Sequence, residues 1–156
     1  MNLPDGLTRA DRWLVVMGVA GSGKTTVGGR IAFEFGVAFV DGDDLHPAAN
    51  VAKMSAGEPL DDDDRIPWLA RVADVLASSE AGVVVACSAL KRRYRDLLRE
   101  RCRDAGHPLT FVFLDVASEV VRARVASRPG HFMGADMVDG QFAALESPIG
   151  EPDVVV

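Results

Sequence analysis

Eight residues near the amino terminus carry the strongest chemical signal in the chain. Gly18-Val19-Ala20-Gly21-Ser22-Gly23-Lys24-Thr25 has the form G-x-x-x-x-G-K-[ST]. Its glycines let backbone approach a ligand where a side chain would block it. The loop amides and the N-terminus of a following helix can then surround phosphate oxygens. In that reading residues Gly18 to Thr25, with Thr26 just inside the helix, cradle a nucleoside triphosphate. Lys24 bridges its β- and γ-phosphates, and Thr25 offers a hydroxyl to Mg²⁺. The same octet can also be a tight strand-to-helix turn with an exposed lysine. The apolar run Leu14-Val15-Val16-Met17 before it and the helical periodicity after Thr26 favour the phosphate loop.

Other groups can supply the rest of a phosphoryl-transfer site. Asp41 and Asp43 lie at the carboxyl end of a predicted strand, where open α/β sheets place their ligands. Asp43 suits the group that accepts or orients an attacking hydroxyl, and Asp41 a magnesium-bound water. The two roles can be exchanged, and an Asx-type turn around Gly42 is the plainer alternative. The run Asp61 to Asp64 reads as a solvated helix start, because carboxylates favour a helix N-terminus. Arg65, next to it, has the forked guanidinium that clamps a carboxylate. Lys91, Arg92, Arg93, Arg95 and Arg99 form a basic helix in an acidic protein. Lys91 and Arg95 share a face and can attract an anionic substrate, whereas Arg92 and Arg93 read as ordinary surface charges. Arg124 and Arg128 are one helical turn apart before Pro129-Gly130. That spacing suits a short lid carrying arginines to the transferring phosphoryl group, and a plain helix end is the alternative. Trp68 reads as packing.

These residues need a scaffold, and the chain supplies short apolar runs alternating with longer amphipathic ones. That alternation predicts parallel strands joined by helices. Strands are expected at Trp13 to Met17, Val37 to Val40, Val83 to Cys87 and Thr110 to Asp115, with a fifth starting at Asp153. Helices are expected from Lys24 to Phe35, within Leu45 to Ser79, from Ala89 to about Arg103, toward Ser127, and from Ala135 to Leu145. The fold class is therefore α/β: three layers, a central parallel sheet of about five strands flanked by helices, and a short lid. At 156 residues one domain spanning 1–156 is expected. The net charge of −6 argues against nucleic acid. No apolar run approaches a membrane span or a signal peptide. Cys87 and Cys102 have no metal spacing, and a reducing cytoplasm fits them. No Asn-Lys-x-Asp motif marks a GTPase, and the third strand ends in Cys87-Ser88 without the acidic residue of motor ATPases.

Several blocks together narrow the phosphate-loop kinases further. They are Asp41-Gly42-Asp43 with Leu45-His46-Pro47; Asn50; Lys53-Met54; Gly57-Glu58-Pro59-Leu60; Asp62, Asp64-Arg65 and Pro67-Trp68-Leu69; Cys87-Ser88-Ala89-Leu90-Lys91; Tyr94-Arg95 and Leu98-Arg99; Arg128 with Gly130-His131-Phe132; Gln141-Phe142; and Leu145-Glu146. Over about Trp13 to Pro148 the chain resembles the small P-loop gluconokinases. The resemblance implies ATP and Mg²⁺ as donor and cofactor, D-gluconate as acceptor, and a cytoplasmic homodimer. It implies Lys24, Asp43 and Arg128 as catalytic residues, with Arg124 at the nucleotide. It adds His46, Lys53 and His131 to Asp43, Arg65, Lys91 and Arg95 as substrate contacts. Two departures stand out. Gly140 occupies a position usually held by serine, and the family continues beyond Val156 with a further strand and helix that help hold the base. A shikimate- or nucleotide-type kinase of the same fold, and a nucleotide-binding module without catalysis, are the alternatives.

Overall fold

Apolar runs without polar alternation suit strands covered on both faces, and the strands form on those runs. In the computed structural model, which describes residues 3–127 and 135–156, β1 is Trp13–Met17, β2 Ala38–Asp41, β3 Val83–Ala86, β4 Leu109–Phe113 and β5 Val154–Val155. They make one parallel sheet in the order β2-β3-β1-β4-β5. Between them run α1 (Lys24–Phe35), a 3₁₀ turn (Gly42–Leu45), α2 (Ala48–Ser55), α3 (Asp62–Ser78), α4 (Arg92–Ala105), α5 (Ser118–Ala126) and α6 (Ala135–Ala144).

Alternate strand residues face two different cores. Leu14, Val16, Val84 and Val112 pack with Ile31, Ala32 and Phe35 of α1. Val15, Met17, Val83, Val85, Phe111 and Phe113 pack on the other face, with Trp68, Leu69, Val72 and Leu76 of α3 and Tyr94, Leu98 and Cys102 of α4. The chain thus leaves β1 for one face of the sheet and leaves neighbouring β3 for the other. This divergence opens a crevice beyond their carboxyl ends, where such sheets bind ligands. A third cluster of Val19, Leu90, Val121, Val125 and Val138 seats α5 and α6 against the loops at that end.

The boundaries that differ from expectation have local causes. The second strand starts at Ala38 because the Val37 amide is used at the end of α1, donating to Ala32 O at 3.1 Å beside left-handed Gly36. The basic helix starts at Arg92 instead of Ala89, because Ala89 takes φ 46 and Lys91 is the extended N-cap. Asp61 and Asp64 form a reciprocal capping box at the start of α3.

Gly42, between Asp41 and Asp43, is fixed by close approach. A Cβ there would lie 2.4 Å from the Ala86 carbonyl of β3, in backbone that cannot step aside. Gly42→Ala is expected to destabilise the chain by about 1–3 kcal/mol through overpacking. The check is the urea midpoint, which should fall with no change in slope.

Candidate active site

The loop after β1 is built to face an anion. Gly18, Gly21 and Gly23 have φ of 150°, 81° and 99°, values that suit glycine. A Cβ on Gly18 would stand 2.8 Å from Ser22 Oγ and 3.1 Å from Leu114 O, so the hollow of the loop depends on its absence. Helix α1 begins without a side-chain cap and without an acidic residue in its first turn, which leaves its dipole and amides to an outside anion. Ser22 Oγ is buried with no protein partner among the described residues. Lys24 Nζ donates to Val19 O at 3.0 Å, folding the ammonium back over the loop. These features fit a polyphosphate.

Two further elements reach this loop. Arg124 Nη1 of α5 donates to Gly21 O at 3.2 Å. The Ala20 amide donates to Gln141 Oε1 of α6 at 2.7 Å. Helices α5 and α6 are thus latched to the phosphate loop from two directions.

Asp41 and Asp43 stand beside it, at the end of β2. Asp41 Oδ2 accepts from Thr25 Oγ1 at 3.3 Å, and Asp41 Oδ1 accepts from the Asp43 amide at 3.0 Å. A hydroxyl and a carboxylate in contact are a hard oxygen pair of the kind Mg²⁺ prefers. No cluster of three or more metal-ligating side chains occurs among the described residues. The Asp43 carboxyl is pushed above the usual carboxylate range, first by desolvation, then by the like charge of Asp41, with Asp44 adding to it; the Lys24 ammonium opposes this. The Asp43 side chain stays open to solvent, so the desolvation comes from the protein walls crowding the mouth and not from sequestration. Cys87, at the end of β3, is no nucleophile, because burial pushes its thiol up to about 12.

The 3₁₀ turn passes from Asp43 into a chain of polar contacts. His46 stacks on Trp68, with ring centroids 4.4 Å apart and planes 13° from parallel. Trp68 Nε1 donates to Gly42 O at 2.7 Å. Trp68 therefore packs, as expected, and also holds the backbone between the two aspartates. Asn50 Nδ2 donates to Asp64 O at 2.9 Å and lies 3.1 Å from His46 Nδ1. An amide nitrogen on a carbonyl must be the NH₂ group, so it donates to Nδ1 as well, and the ring proton sits on Nε2. Burial, then the Arg65 charge, lower His46 to about 4, so it is a neutral N–H donor at neutral pH. Between about 4 and the ordinary 6.5 the unfolded chain binds a proton that the folded chain does not, so stability rises with pH across that window. His46→Gln is expected to flatten that rise. Urea midpoints compared at about pH 4.5 and about pH 7 would read it.

Arg65 is half-buried, and its guanidinium makes no hydrogen bond among the described residues. Lys53 Nζ donates to Asp64 Oδ2 at 2.8 Å, and Lys91 Nζ to Asp62 Oδ1 at 3.0 Å. Asp62 also meets Arg93 and Tyr94. The acidic run is therefore more than a solvated helix start: Asp62 and Asp64 hold two of the predicted substrate lysines.

Arg95 corrects an expectation. It lies within α4, whereas Lys91 is only the extended N-cap before that helix, so the two share no helix face. Arg95 is fully buried, and its guanidinium binds Glu151 and the carbonyls of Ala89, Leu90 and Glu146. A group sealed this way cannot meet a diffusing sugar acid. Arg99 is likewise tied to Glu151, Asp153 and Asp96. Arg128 and His131 lie outside the described residues. Asn50 and Gln141 stand among the blocks that carry the family resemblance, but the sequence assigned neither a role in the site, and it did not signal the Glu151 clamp. Gln141 and Ala20 are far apart in the chain, and nothing in a lone glutamine signals that contact.

A family model described as an AAA domain matches residues 14–150. The thermosensitive gluconokinase of Escherichia coli (strain K12) is 47% identical over 147 residues, covering 90% of this chain and 75% of that protein. The gluconokinase of Gluconobacter oxydans (strain 621H) is 47% identical over 148 residues, covering 93% of this chain and 80% of that protein. The crystal structure of a gluconokinase from Sinorhizobium meliloti 1021 superposes with a TM-score of 0.86 at 50% identity, over 95% of this chain and 82% of that one.

Proposed function

This chain belongs to the gluconokinase family, and from that premise we infer that it transfers the γ-phosphoryl group of ATP to the primary hydroxyl of D-gluconate, releasing ADP and 6-phospho-D-gluconate. The observation that carries the reading is the likeness to gluconokinases over nine-tenths of the chain. The local geometry supports it: a phosphate loop and a carboxylate with a raised pKa share one mouth.

The residues divide the work. Gly18 to Thr25, with Thr26, bind the phosphates through amides and hydroxyls, and Lys24 neutralises charge that develops as the phosphoryl group moves. Thr25, and Asp41 through a water, would hold Mg²⁺, which would supply neutralisation of the phosphate charge. Asp43 orients the attacking hydroxyl and takes its proton, a role its raised pKa favours. Asp41 and Asp43 can exchange these duties. Neutral His46 donates from Nε2 to a hydroxyl of the polyol, and Arg65 clamps the carboxylate at its other end. Lys53 and Lys91 add positive charge, each presented by its aspartate. Arg124 serves the phosphate side, with Arg128 as a catalytic arginine and His131 as a substrate contact. Arg95 is not a substrate contact. We further propose that 1–156 is a single kinase domain, working as a homodimer in the cytoplasm. No helix among the described residues is long and apolar enough to cross a membrane.

Release of ADP should be measured with ATP and Mg²⁺ and with gluconate, shikimate or a nucleoside monophosphate as acceptor. Gluconate should be the best acceptor and should yield a 6-phosphorylated product. Faster turnover with another acceptor would overturn the assignment. ATP binding without phosphorylation of any acceptor would point to a nucleotide-binding module.

A further inference from the structure

The most constrained side chain near the site is one that cannot touch the substrate. All five N–H donors of Arg95 are used inside the protein. Nη1 donates to Ala89 O at 2.8 Å and Leu90 O at 3.2 Å, Nη2 to Glu146 O at 2.9 Å and Glu151 Oε2 at 2.8 Å, and Nε to Glu151 Oε1 at 3.1 Å. A buried arginine–glutamate pair adds little net stability over an apolar pair of similar volume. What it offers here is a rigid fork joining three segments of chain.

The segment it grips is strained. Ala89 has φ 46, the left-handed value that glycine favours, and is alone in this among the described non-glycine residues. That conformation turns the Ala89 and Leu90 carbonyls onto the same nitrogen. The loop is also held at its other contacts. Ser88 O accepts from the Gly18 amide at 3.3 Å, and Leu90 O accepts from the Glu146 amide at 2.8 Å. Glu146 Oε1 then accepts from the Arg92 amide at 2.8 Å, where α4 begins. Beyond the loop the chain emerges extended at Lys91, whose ammonium reaches Asp62 of α3. One short loop thus touches the phosphate loop on one side and presents a substrate-side lysine on the other.

We propose that Arg95 is a positioning residue for the acceptor: by holding Ala89 left-handed it fixes where Lys91 stands beside α3. The inference rests on the gluconokinase reading and deepens it. Lysine at 95 keeps the charge but cannot bridge two carbonyls, a third carbonyl and a carboxylate at once. Ala89→Gly acts in the opposite sense, because glycine accepts the left-handed backbone without strain and needs less to hold it.

The test is steady-state kinetics of the wild type, Arg95→Lys, and Arg95→Lys combined with Ala89→Gly. Arg95→Lys should raise the KM for gluconate by about tenfold, a scale consistent with a displaced positioning contact. The KM for ATP should stay within about twofold, because the phosphate loop keeps its own contacts. Ala89→Gly should restore part of the lost gluconate affinity, and it supplies a stable background if Arg95→Lys alone folds poorly. A gluconate KM unchanged in both variants, with only the melting temperature lowered, would reduce Arg95 to a structural clamp. Absence of gluconate turnover in the wild type would instead overturn the functional reading, and this inference with it.

Discussion

Asp43→Asn is expected to lower kcat by about 10²-fold or more while raising the temperature of unfolding at neutral pH. The two effects share a cause. The Asp43 carboxyl is held above its ordinary 3.8 in the folded chain by desolvation and by Asp41 and Asp44, with only partial relief from Lys24. The ionised form is therefore less welcome in the folded chain than in the unfolded one. Above the folded pKa this costs stability, and below 3.8 both states are protonated and the cost is gone. Asparagine removes the charge, so its benefit should be present at neutral pH and fade as pH falls through the folded pKa. Because Asp43 stays open to solvent, the gain is small, but its sign follows from the direction of the shift. Turnover responds the other way, since an amide cannot take a proton from the attacking hydroxyl. Thermal melts at about pH 4 and pH 7, beside kcat with ATP, Mg²⁺ and gluconate saturating, test both halves. A variant that kept near-normal turnover would remove Asp43 from the chemistry. One that melted lower at neutral pH would mean that its contacts outweigh its desolvation.

The trade of stability for a usable base could be inferred from sequence only in outline. Asp41-Gly42-Asp43 after an apolar strand announces carboxylates at the mouth of a parallel sheet, and the strand that forms does end at Asp41. The phosphate loop was equally legible, because both its spelling and its flanking strand and helix are local. What was not legible depends on contacts between distant segments. Arg95 is basic like Lys91 and four residues from it, and helical spacing alone sends both to one face, although α4 begins only after Lys91. The difference lies with Glu151 and the Ala89 carbonyl, which convert one arginine into a buried strut. The tautomer of His46 likewise depends on Asn50 lying between it and Asp64 O. Strand and helix positions erred where a residue served the neighbouring element, as Val37 closes α1 before β2 can begin. Local pattern thus specifies which chemistry is available, and tertiary contacts decide which copies of a residue type perform it.

Lys24→Met should lose activity and stability by separate routes, and the two can be told apart. The activity loss is expected at about 10²–10³-fold in kcat, the scale for removing one preorganised donor to developing charge. The stability loss has another source. Lys24 is the cation that lowers the Asp43 carboxyl, against desolvation, Asp41 and Asp44. Without it the ionised Asp43 keeps every opposing influence and loses the favourable one. The variant should therefore be least stable, relative to the parent chain, at neutral pH, and should recover as Asp43 protonates. The contact from Nζ to Val19 O does not depend on pH, and its loss belongs to the part that does not recover. A double-mutant cycle isolates the charge contribution: in the Asp43→Asn background, Lys24→Met should cost less than in the parent. Solvent access at Asp43 keeps the coupling small, on the order of 0.5 kcal/mol. Urea unfolding of the four proteins at neutral pH would measure it. Additive losses would mean that Lys24 does not act on Asp43, and that Asp43 owes its state to desolvation and its acidic neighbours. A positive coupling would mean that the phosphate-loop lysine also sets the protonation of the base, so that donor and acceptor halves of the mouth are electrostatically one site.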